Sequence, residues 1–188
     1  MTNIAVFASG NGSNFEAIVS ATKAGALKAK VSLLVCDKPD AYVIARAESH
    51  GIEVFSFSPK AYPSKEAYET EIRTLLQERD IRYIVLAGYM RLIGHTLLEA
   101  YPNQMINIHP SLLPQFPGKH AIEQACASGV SETGVTVHYV DEGMDTGPVI
   151  AQRKVAIERG DTLETLAKRI QQTEHVLYIE TLNKIFGD

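Results

Sequence analysis

The sequence has no tryptophan, only two cysteines and no long uninterrupted apolar run. Cys36 and Cys126 stand alone, without the paired spacing of a metal or redox site, so we expect two free thiols and no metal. The apolar runs are far too short to cross a bilayer, and Met1-Thr2-Asn3 leads into a predicted strand rather than a signal peptide. We therefore expect a cytoplasmic protein without a membrane partner.

A surplus of basic residues is also absent. The 18 Lys and Arg are outnumbered by 22 Asp and Glu, which gives a formal net charge of −4. Proteins that bind nucleic acids usually carry a basic excess, so no nucleic-acid partner is expected. At 188 residues, with 45% hydrophobic and 21% charged residues, the chain has the composition of one ordinary globular domain.

Apolar runs alternate with amphipathic helical patterns along the chain. Residues 4–8, 31–35 and 81–86 suit buried parallel strands, whereas residues 64–79 repeat apolar side chains at helical spacing after a capping Ser64. Near the end, two strand patterns flank a polar loop at residues 141–148. The order predicts an α/β fold: a doubly wound, mostly parallel twisted sheet with one antiparallel pair near the C-terminal edge.

Asn107 and His109 lie two residues apart at the end of the apolar run M-I-N-I. Side chains two apart in a strand point to the same face, and Pro110 keeps His109 extended. Open α/β sheets bind ligands at the carboxyl ends of their strands. The pair is therefore expected either to serve a ligand site or to complete the hydrogen bonds of a strand end.

The segment S-G-N-G-S-N at residues 9–14 joins the first strand to the first helix. Its glycines allow close approach to the backbone, and a helix start presents N–H groups that can bind a phosphate. Ser13 or Asn14 is expected to cap the helix. The spacing is neither that of a dinucleotide site nor that of a Walker loop, so a tight turn without a ligand is the alternative.

Two later loops have unusual compositions. Residues 87–94 stay apolar beyond the predicted strand end, which indicates either a pocket for a flat ring or a loop folded under a helix. Residues 141–148 hold three acids, and Gly143, Gly147 and Pro148 give the loop a definite shape. That shape favours the positioning of one carboxylate over a merely solvated acidic loop.

The last helix is predicted to begin with the capping box Asp161-Thr162-Leu163-Glu164. Glu174 falls inside its apolar stripe, between Ile170 and Leu177. A carboxylate on a core-facing stripe is costly unless it is paired or faces a polar cavity. We therefore expect Glu174 either to form an internal ion pair or to contact a ligand.

Residues 107–118 read N-I-H-P-S-L-L-P-x-F-x-G, and residues 137–148 read V-H-x-V-x-x-x-x-D-x-G-P. This combination is highly specific for the folate-dependent formyltransferases. Together with S-G-N-G-S-N, it makes the chain resemble the phosphoribosylglycinamide formyltransferase family over essentially all 188 residues. The resemblance implies a single catalytic domain, residues 1–188, whose N-terminal half binds the phosphate and ribonucleotide and whose C-terminal half binds the folate.

The resemblance also implies roles for individual residues. The catalytic residues would be Asn107, His109 and Asp145. The residues that bind the ribonucleotide substrate would be Asn11, Gly12, Ser13, Asn14 and Glu174. The residues that bind folate would be Lys65, Met90, Arg91, Leu92, Ile93, Asn107, Val140 and Asp141. Lys65 stands where the family often has Arg, so a folate carboxylate would meet a point charge rather than a bidentate fork.

The implied reaction moves a formyl group from 10-formyltetrahydrofolate to the amine of 5-phosphoribosylglycinamide in de novo purine biosynthesis. Direct attack gives a tetrahedral intermediate, whose oxyanion could accept hydrogen bonds from Asn107 and His109. An imidazole, with an ordinary pKa of about 6.5, can assist proton transfer at neutral pH. The folate is a co-substrate, no metal is implied, and the protein is expected to be a monomer or a homodimer.

Three other functions remain open. A formyltetrahydrofolate hydrolase would use the same three residues with water as acceptor, but proteins resembling it carry an additional N-terminal regulatory domain. A methionyl-tRNA formyltransferase should have a C-terminal extension and a basic surface. A non-catalytic nucleotide-binding module would use residues 9–14 alone and would leave Asn107, His109 and Asp145 without a role.

Overall fold

The computed structural model describes residues 1–187 and contains, within them, one seven-stranded sheet. Its strands are β1 (Thr2–Ala8), β2 (Ala29–Cys36), β3 (Val54–Ser56), β4 (Tyr83–Leu86), β5 (Met105–His109), β6 (Glu132–Tyr139) and β7 (Val149–Ala156). The helices in the same range are α1 (Ser13–Lys23), α2 (Tyr42–Ser49), α3 (Lys65–Glu78), α4 (His95–Ala100), α5 (Ala121–Ser128) and α6 (Leu163–Phe186), with a 3₁₀ turn at Pro59–Ala61.

The strand order is β3-β2-β1-β4-β5-β6-β7, and the first five strands in that order run parallel. The predicted doubly wound, mostly parallel α/β sheet is thus confirmed. The sheet contains two antiparallel pairs where one was predicted, because β6 runs antiparallel to both β5 and β7. The short α5 returns the chain to the edge where β5 ends, so β6 begins there and runs back along β5.

The central strand β1 is buried on both faces. Ile4, Val6 and Ala8 pack into the core cluster that includes α1 and α6, whereas Ala5 and Phe7 pack into the opposite cluster with α3 and α4. A parallel strand covered by helices on both sides needs a continuous apolar run, since its alternate side chains face two cores. This accounts for the unbroken apolar sequence read at residues 4–8.

Helix α6 forms hydrogen-bonding contacts with two neighbouring strands, β4 and β5. The buried Tyr178 hydroxyl lies 2.7 Å from the Leu86 carbonyl oxygen of β4 and 3.1 Å from the Ile106 carbonyl oxygen of β5. The single O–H can donate to one of these oxygens at a time, and its polar end is satisfied inside the core. Tyr178 thereby links the carboxyl end of β4 to the beginning of β5.

The helix starts differ in part from the predictions. Ser64 caps α3 as predicted, accepting a hydrogen bond from the Ala67 N–H. The prediction that Ser13 or Asn14 caps α1 is wrong, because both already lie in the helix and its N-cap is Gly12. The capping box of α6 is formed by Thr162 and Thr165 rather than by Asp161 and Glu164.

The N-cap of α6 is Thr162 rather than the predicted Asp161, and the reason is electrostatic. Both carboxylate oxygens of Asp161 face the Arg169 guanidinium at 2.8 and 2.9 Å. A bidentate pair of this kind holds the carboxylate strongly, so Thr162 takes the capping position next to it. Helix α4 was not predicted at all, since its six residues are too few to display a helical period.

Candidate functional site

The predicted catalytic residues meet at the carboxyl end of β5. His109 Nδ1 lies 3.4 Å from Asp145 Oδ2, and a second histidine, His138, places Nε2 3.7 Å from Asp145 Oδ1. His138 Nε2 is also 3.4 Å from Asn107 Nδ2. Asn107, His109 and Asp145 are therefore brought into one buried or half-buried cluster, with His138 linking the amide to the carboxylate.

Asp145 is positioned by the backbone of two loops. Its φ of 56° lies in the left-handed region, which is uncommon for a residue with a side chain. Its Oδ2 accepts a hydrogen bond of 2.8 Å from the Gly118 N–H, which joins the loop after β5 to the loop after β6. The glycine-rich loop read in the sequence thus directs one of its carboxylates into the site.

The electrostatic surroundings of Asp145 favour its ionised form. Burial by itself raises the pKa of this carboxyl, but the nearby His138 ring, the hydrogen bond from the Gly118 N–H and the nearby His109 ring together outweigh burial and lower the pKa below its ordinary value. Asp145 is consequently a carboxylate at neutral pH. It can orient and balance the charge of a protonated imidazole, but it holds no proton to donate.

The hydrogen-bond partners of His109 identify which ring atoms face acceptors. Nε2 lies 2.8 Å from the Phe116 carbonyl oxygen, which can only accept, so Nε2 carries a proton. Nδ1 faces the Asp145 carboxylate. Both ring nitrogens of His109 therefore face oxygen atoms that can accept a hydrogen bond.

His138 is the member of this cluster that sequence reasoning did not predict. It lies directly across from Asn107 in the antiparallel pairing of β5 and β6, and its Nδ1 is 2.8 Å from the Tyr139 carbonyl oxygen. Its place within a predicted strand was visible in the sequence. The register that sets it opposite Asn107 depends on the β5–β6 pairing, which no local pattern specifies.

The segment at residues 9–14 forms a compact turn supported by α2. Val43 N–H donates to the Gly10 carbonyl at 3.0 Å, and Arg46 Nε donates to the Asn11 carbonyl at 2.7 Å. Gly12 has a φ of 80°, and a Cβ added there would lie 2.7 Å from Val43 Cβ. The turn therefore requires glycine at this position.

Glu174 lies on the buried face of α6, near this turn. Burial raises its pKa to about 7, although the neighbouring Asn14 side chain acts in the opposite direction. No ion pair within residues 1–187 includes Glu174. Asn14 Oδ1 is also buried and has no partner in that range. The structure thus places Glu174 next to Asn14 of the turn at residues 9–14, and no basic side chain in residues 1–187 pairs with it.

The predicted folate-binding segment follows β4 and is partly exposed. Met90 and Leu92 are 58% and 46% exposed, so two large apolar side chains remain uncovered beside the site. Ile93 is instead buried in the core cluster with α3 and α4 and anchors the segment. Lys65 Nζ donates to the Leu92 carbonyl at 2.9 Å, so Lys65 holds the segment from outside.

Val140 and Asp141 stand at the opposite side of the site, after β6. Val140 N–H donates to the Met105 carbonyl at 3.0 Å, which continues the pairing with β5. Asp141 Oδ1 accepts from the Gly143 N–H at 3.0 Å and from the Thr146 hydroxyl at 2.6 Å. Asp141 therefore shapes the loop that carries Asp145.

Within residues 1–187, no group of three or more His, Cys, Asp or Glu side chains is arranged to hold a metal ion. No helix in that range is long and apolar enough to cross a membrane. Cys36 and Cys126 are free thiols, as predicted.

Comparison with known proteins gives full-length matches. Residues 2–182 match the formyl transferase family. The chain is 55% identical over 187 residues to phosphoribosylglycinamide formyltransferase of Bacillus subtilis, covering 100% of this chain and 96% of that protein. Its identity to the Escherichia coli phosphoribosylglycinamide formyltransferase is 40% over 179 residues, or 94% of this chain and 83% of that protein. The solved glycinamide ribonucleotide transformylase 1 of Geobacillus kaustophilus superimposes with a TM-score of 0.96 at 62% identity, covering 98% of both chains.

Proposed function

The chain belongs to the formyl transferase family, and we propose that Asn107, His109 and Asp145 carry out its reaction at the end of β5. It is a formyltransferase of purine biosynthesis that moves the formyl group of 10-formyltetrahydrofolate to the amine of 5-phosphoribosylglycinamide. The observation that supports these residue roles is the cluster itself: an ionised carboxylate, an imidazole with two acceptors and an amide at one strand end.

In the proposed mechanism the substrate amine attacks the formyl carbon directly. The Asn107 amide and the His109 ring stabilise the oxyanion of the tetrahedral intermediate. The attacking amine loses a proton and N10 of the departing folate gains one, and His109 is the group placed to assist this exchange. Asp145 orients the His109 ring, and its own carboxyl, whose pKa is lowered, stays ionised beside that ring.

The two substrates are proposed to approach from different sides of this cluster. The ribonucleotide phosphate would bind at Asn11, Gly12, Ser13 and Asn14, and its ribose hydroxyls would donate to Glu174. The folate would lie against Met90, Leu92 and Val140, with Arg91 and Lys65 near its charged end. Exposed apolar side chains at Met90 and Leu92 support this arrangement, since a pterin ring would cover them.

We propose one catalytic domain over residues 1–188, acting in the cytoplasm as a monomer or homodimer and without a metal. The N-terminal half would hold the phosphate, and the C-terminal half would hold the folate only in part. Glu174 of the second half adjoins Asn14, whereas the exposed Met90 and Leu92 belong to the first half. The two halves also contribute neighbouring strands, β4 and β5, to one sheet.

The reaction is tested by following tetrahydrofolate release by absorbance, with and without 5-phosphoribosylglycinamide. Release that requires the ribonucleotide is the expected result. Equal release in both samples would mean that water is the acceptor, as in a hydrolase. No release in either sample, with the ribonucleotide still bound in calorimetry, would favour a binding module.

Replacing Glu174 by Gln is expected to stabilise the free protein at high pH while weakening ribonucleotide binding. A carboxyl whose folded pKa is raised contributes stability below its ordinary pKa of 4.5, and that stability is lost as the pH rises through about 7. The variant cannot ionise, so its unfolding free energy should exceed that of the wild type by up to about 3 kcal/mol at pH 8 and by little at pH 5.

Ribonucleotide affinity of this variant should fall by about 1.5–3 kcal/mol, the range for a hydrogen bond to a charged group. Thermal denaturation across pH 5–8 and calorimetric titration give the two values. Glu180→Gln is the matched control, because Glu180 lies on the same helix with its carboxylate exposed and paired to Arg153. A Glu174 variant that loses stability at every pH and keeps its affinity would show that the carboxylate is structural.

A further inference from the structure

A buried carboxylate, Asp37, joins three loops at the carboxyl ends of β2, β1 and β4. The Ser9 hydroxyl, just after β1, donates to Asp37 Oδ1. Arg91 Nε, in the segment after β4, donates to Asp37 Oδ2 at 2.9 Å. The Met90 N–H donates to the Ser9 hydroxyl oxygen at 2.9 Å. One carboxylate therefore fixes Arg91 directly and Met90 through a single hydroxyl.

Because the Asp37 carboxylate is buried, it restricts the position of its partner Arg91. The Asp37 side chain is 1% exposed, whereas its cationic partner Arg91 is 39% exposed. A carboxylate removed from water needs a cation and hydrogen bonds to remain charged, and losing its cation would leave an unpaired buried charge. Arg91 is thus tied at Nε, and its two terminal nitrogens are not used by Asp37.

The Ser9 hydroxyl donates one hydrogen bond and accepts another, and its neighbours determine which is which. It must donate to the carboxylate, because an ionised carboxylate can only accept, and so its oxygen is free to accept the Met90 N–H. Ser9 N–H also donates to the Gly88 carbonyl at 3.0 Å, which fixes the start of the same segment. Gly10 follows directly and opens the turn proposed to bind phosphate.

We propose that Asp37 is a positioning residue for folate recognition, which holds Arg91 and the Met90 backbone in place beside the start of the ribonucleotide turn. This inference rests on the proposed function, since it assigns a role within the same site. Asp37 itself touches no substrate in this proposal. It acts by limiting the positions of Arg91 and Met90, so its loss weakens folate binding more than it slows the chemical step.

The test compares Asp37→Asn, which removes the charge at nearly constant shape, with Asp37→Ala, which removes both hydrogen bonds. Binding of tetrahydrofolate is measured by anaerobic calorimetry, and KM and kcat are measured with 10-formyltetrahydrofolate. We expect the Kd and the folate KM to rise at least about fivefold in Asp37→Asn and about tenfold in Asp37→Ala, with kcat within about threefold. The KM for the ribonucleotide should stay within about twofold.

A double-mutant cycle with Arg91→Gln tests whether Asp37 acts through Arg91. The double variant should bind tetrahydrofolate about as weakly as the weaker-binding single variant, because the Asp37 change releases the Arg91 guanidinium and the Arg91 change removes that same group. Glu53→Gln is the matched control: it removes the charge from another Arg–carboxylate pair, Glu53 with Arg79, outside the site. It should leave both KM values unchanged.

The failures of the two proposals are distinguishable. If the wild type neither binds tetrahydrofolate nor turns over, the proposed function is wrong. If the wild type does both and the folded Asp37 variants keep folate affinity within twofold, the positioning role alone is overturned. Effects of Asp37→Asn and Arg91→Gln that multiply, or a fall in kcat with an unchanged folate KM, would also overturn it.

Discussion

Replacing Asn107, His109 or Asp145 individually by Ala is expected to lower kcat by roughly 10²-fold or more. This is the usual scale for losing an oxyanion donor or an acid–base group. Asp145 contacts His109 at 3.4 Å, and His138 connects it to Asn107, so each substitution disturbs the surroundings of the others. Steady-state kinetics with both substrates saturating gives the kcat of each variant.

Because the three residues share one cluster, their effects should be far from additive. The double variant His109→Ala/Asp145→Ala should lose little more activity than the worse of its two parents. His120→Asn serves as the control, since His120 is exposed and its φ of 60° is one that Asn tolerates well. Losses that multiply in the double variant would show that the residues act independently.

Replacing Gly12 by Val is expected to abolish most ribonucleotide binding. The new side chain would have to adopt a φ of 80° and would overlap Val43, which supports the turn. The ribonucleotide KM should rise by at least about tenfold, because the N–H groups at the start of α1 lose their alignment. Tetrahydrofolate affinity, measured in the same calorimeter, should change little.

Gly25→Val is the control that separates the effect of the clash with Val43 from the effect of backbone strain. Gly25 has a φ of 76°, close to that of Gly12, but a Cβ added there meets no atom within 4 Å. Gly25→Val should lower the free energy of unfolding by roughly 1–2 kcal/mol, the cost of a left-handed conformation for a residue with a side chain. It should leave the affinities for the ribonucleotide and for tetrahydrofolate unchanged. Equal weakening of ribonucleotide and folate binding by Gly12→Val would show that the turn supports the fold rather than the phosphate.

The fold was predictable because its signals are local. The unbroken apolar run of β1 and the period of α3 depend on a few neighbouring residues and on the two faces that they bury. Asn107 and His109 were predictable as a pair for the same reason, since strand geometry alone sets them on one face. The glycines and proline of the loop at residues 141–148 predicted that one of its carboxylates is positioned, and the family resemblance identified that carboxylate as Asp145.

The remaining site residues depend on contacts that are distant in sequence. His138 meets Asn107 through strand register, and Asp37 meets Arg91 through the parallel order of β2, β1 and β4. Neither residue belongs to a local pattern that distinguishes it from an ordinary strand or loop residue. The N-cap of α6 was predicted wrongly for the same reason. Asp161 is bound by Arg169, which lies eight residues further along the chain and outside the local capping pattern.

In the proposed complex, the buried Glu174 would also couple ribonucleotide binding to proton exchange with the solvent. With a pKa of about 7, close to half of the free molecules carry this proton at neutral pH. Ribose hydroxyls that donate to the carboxylate would select the ionised form, so binding should release about half a proton on average. The apparent binding enthalpy should then vary with the ionisation enthalpy of the buffer, and this dependence should disappear in Glu174→Gln.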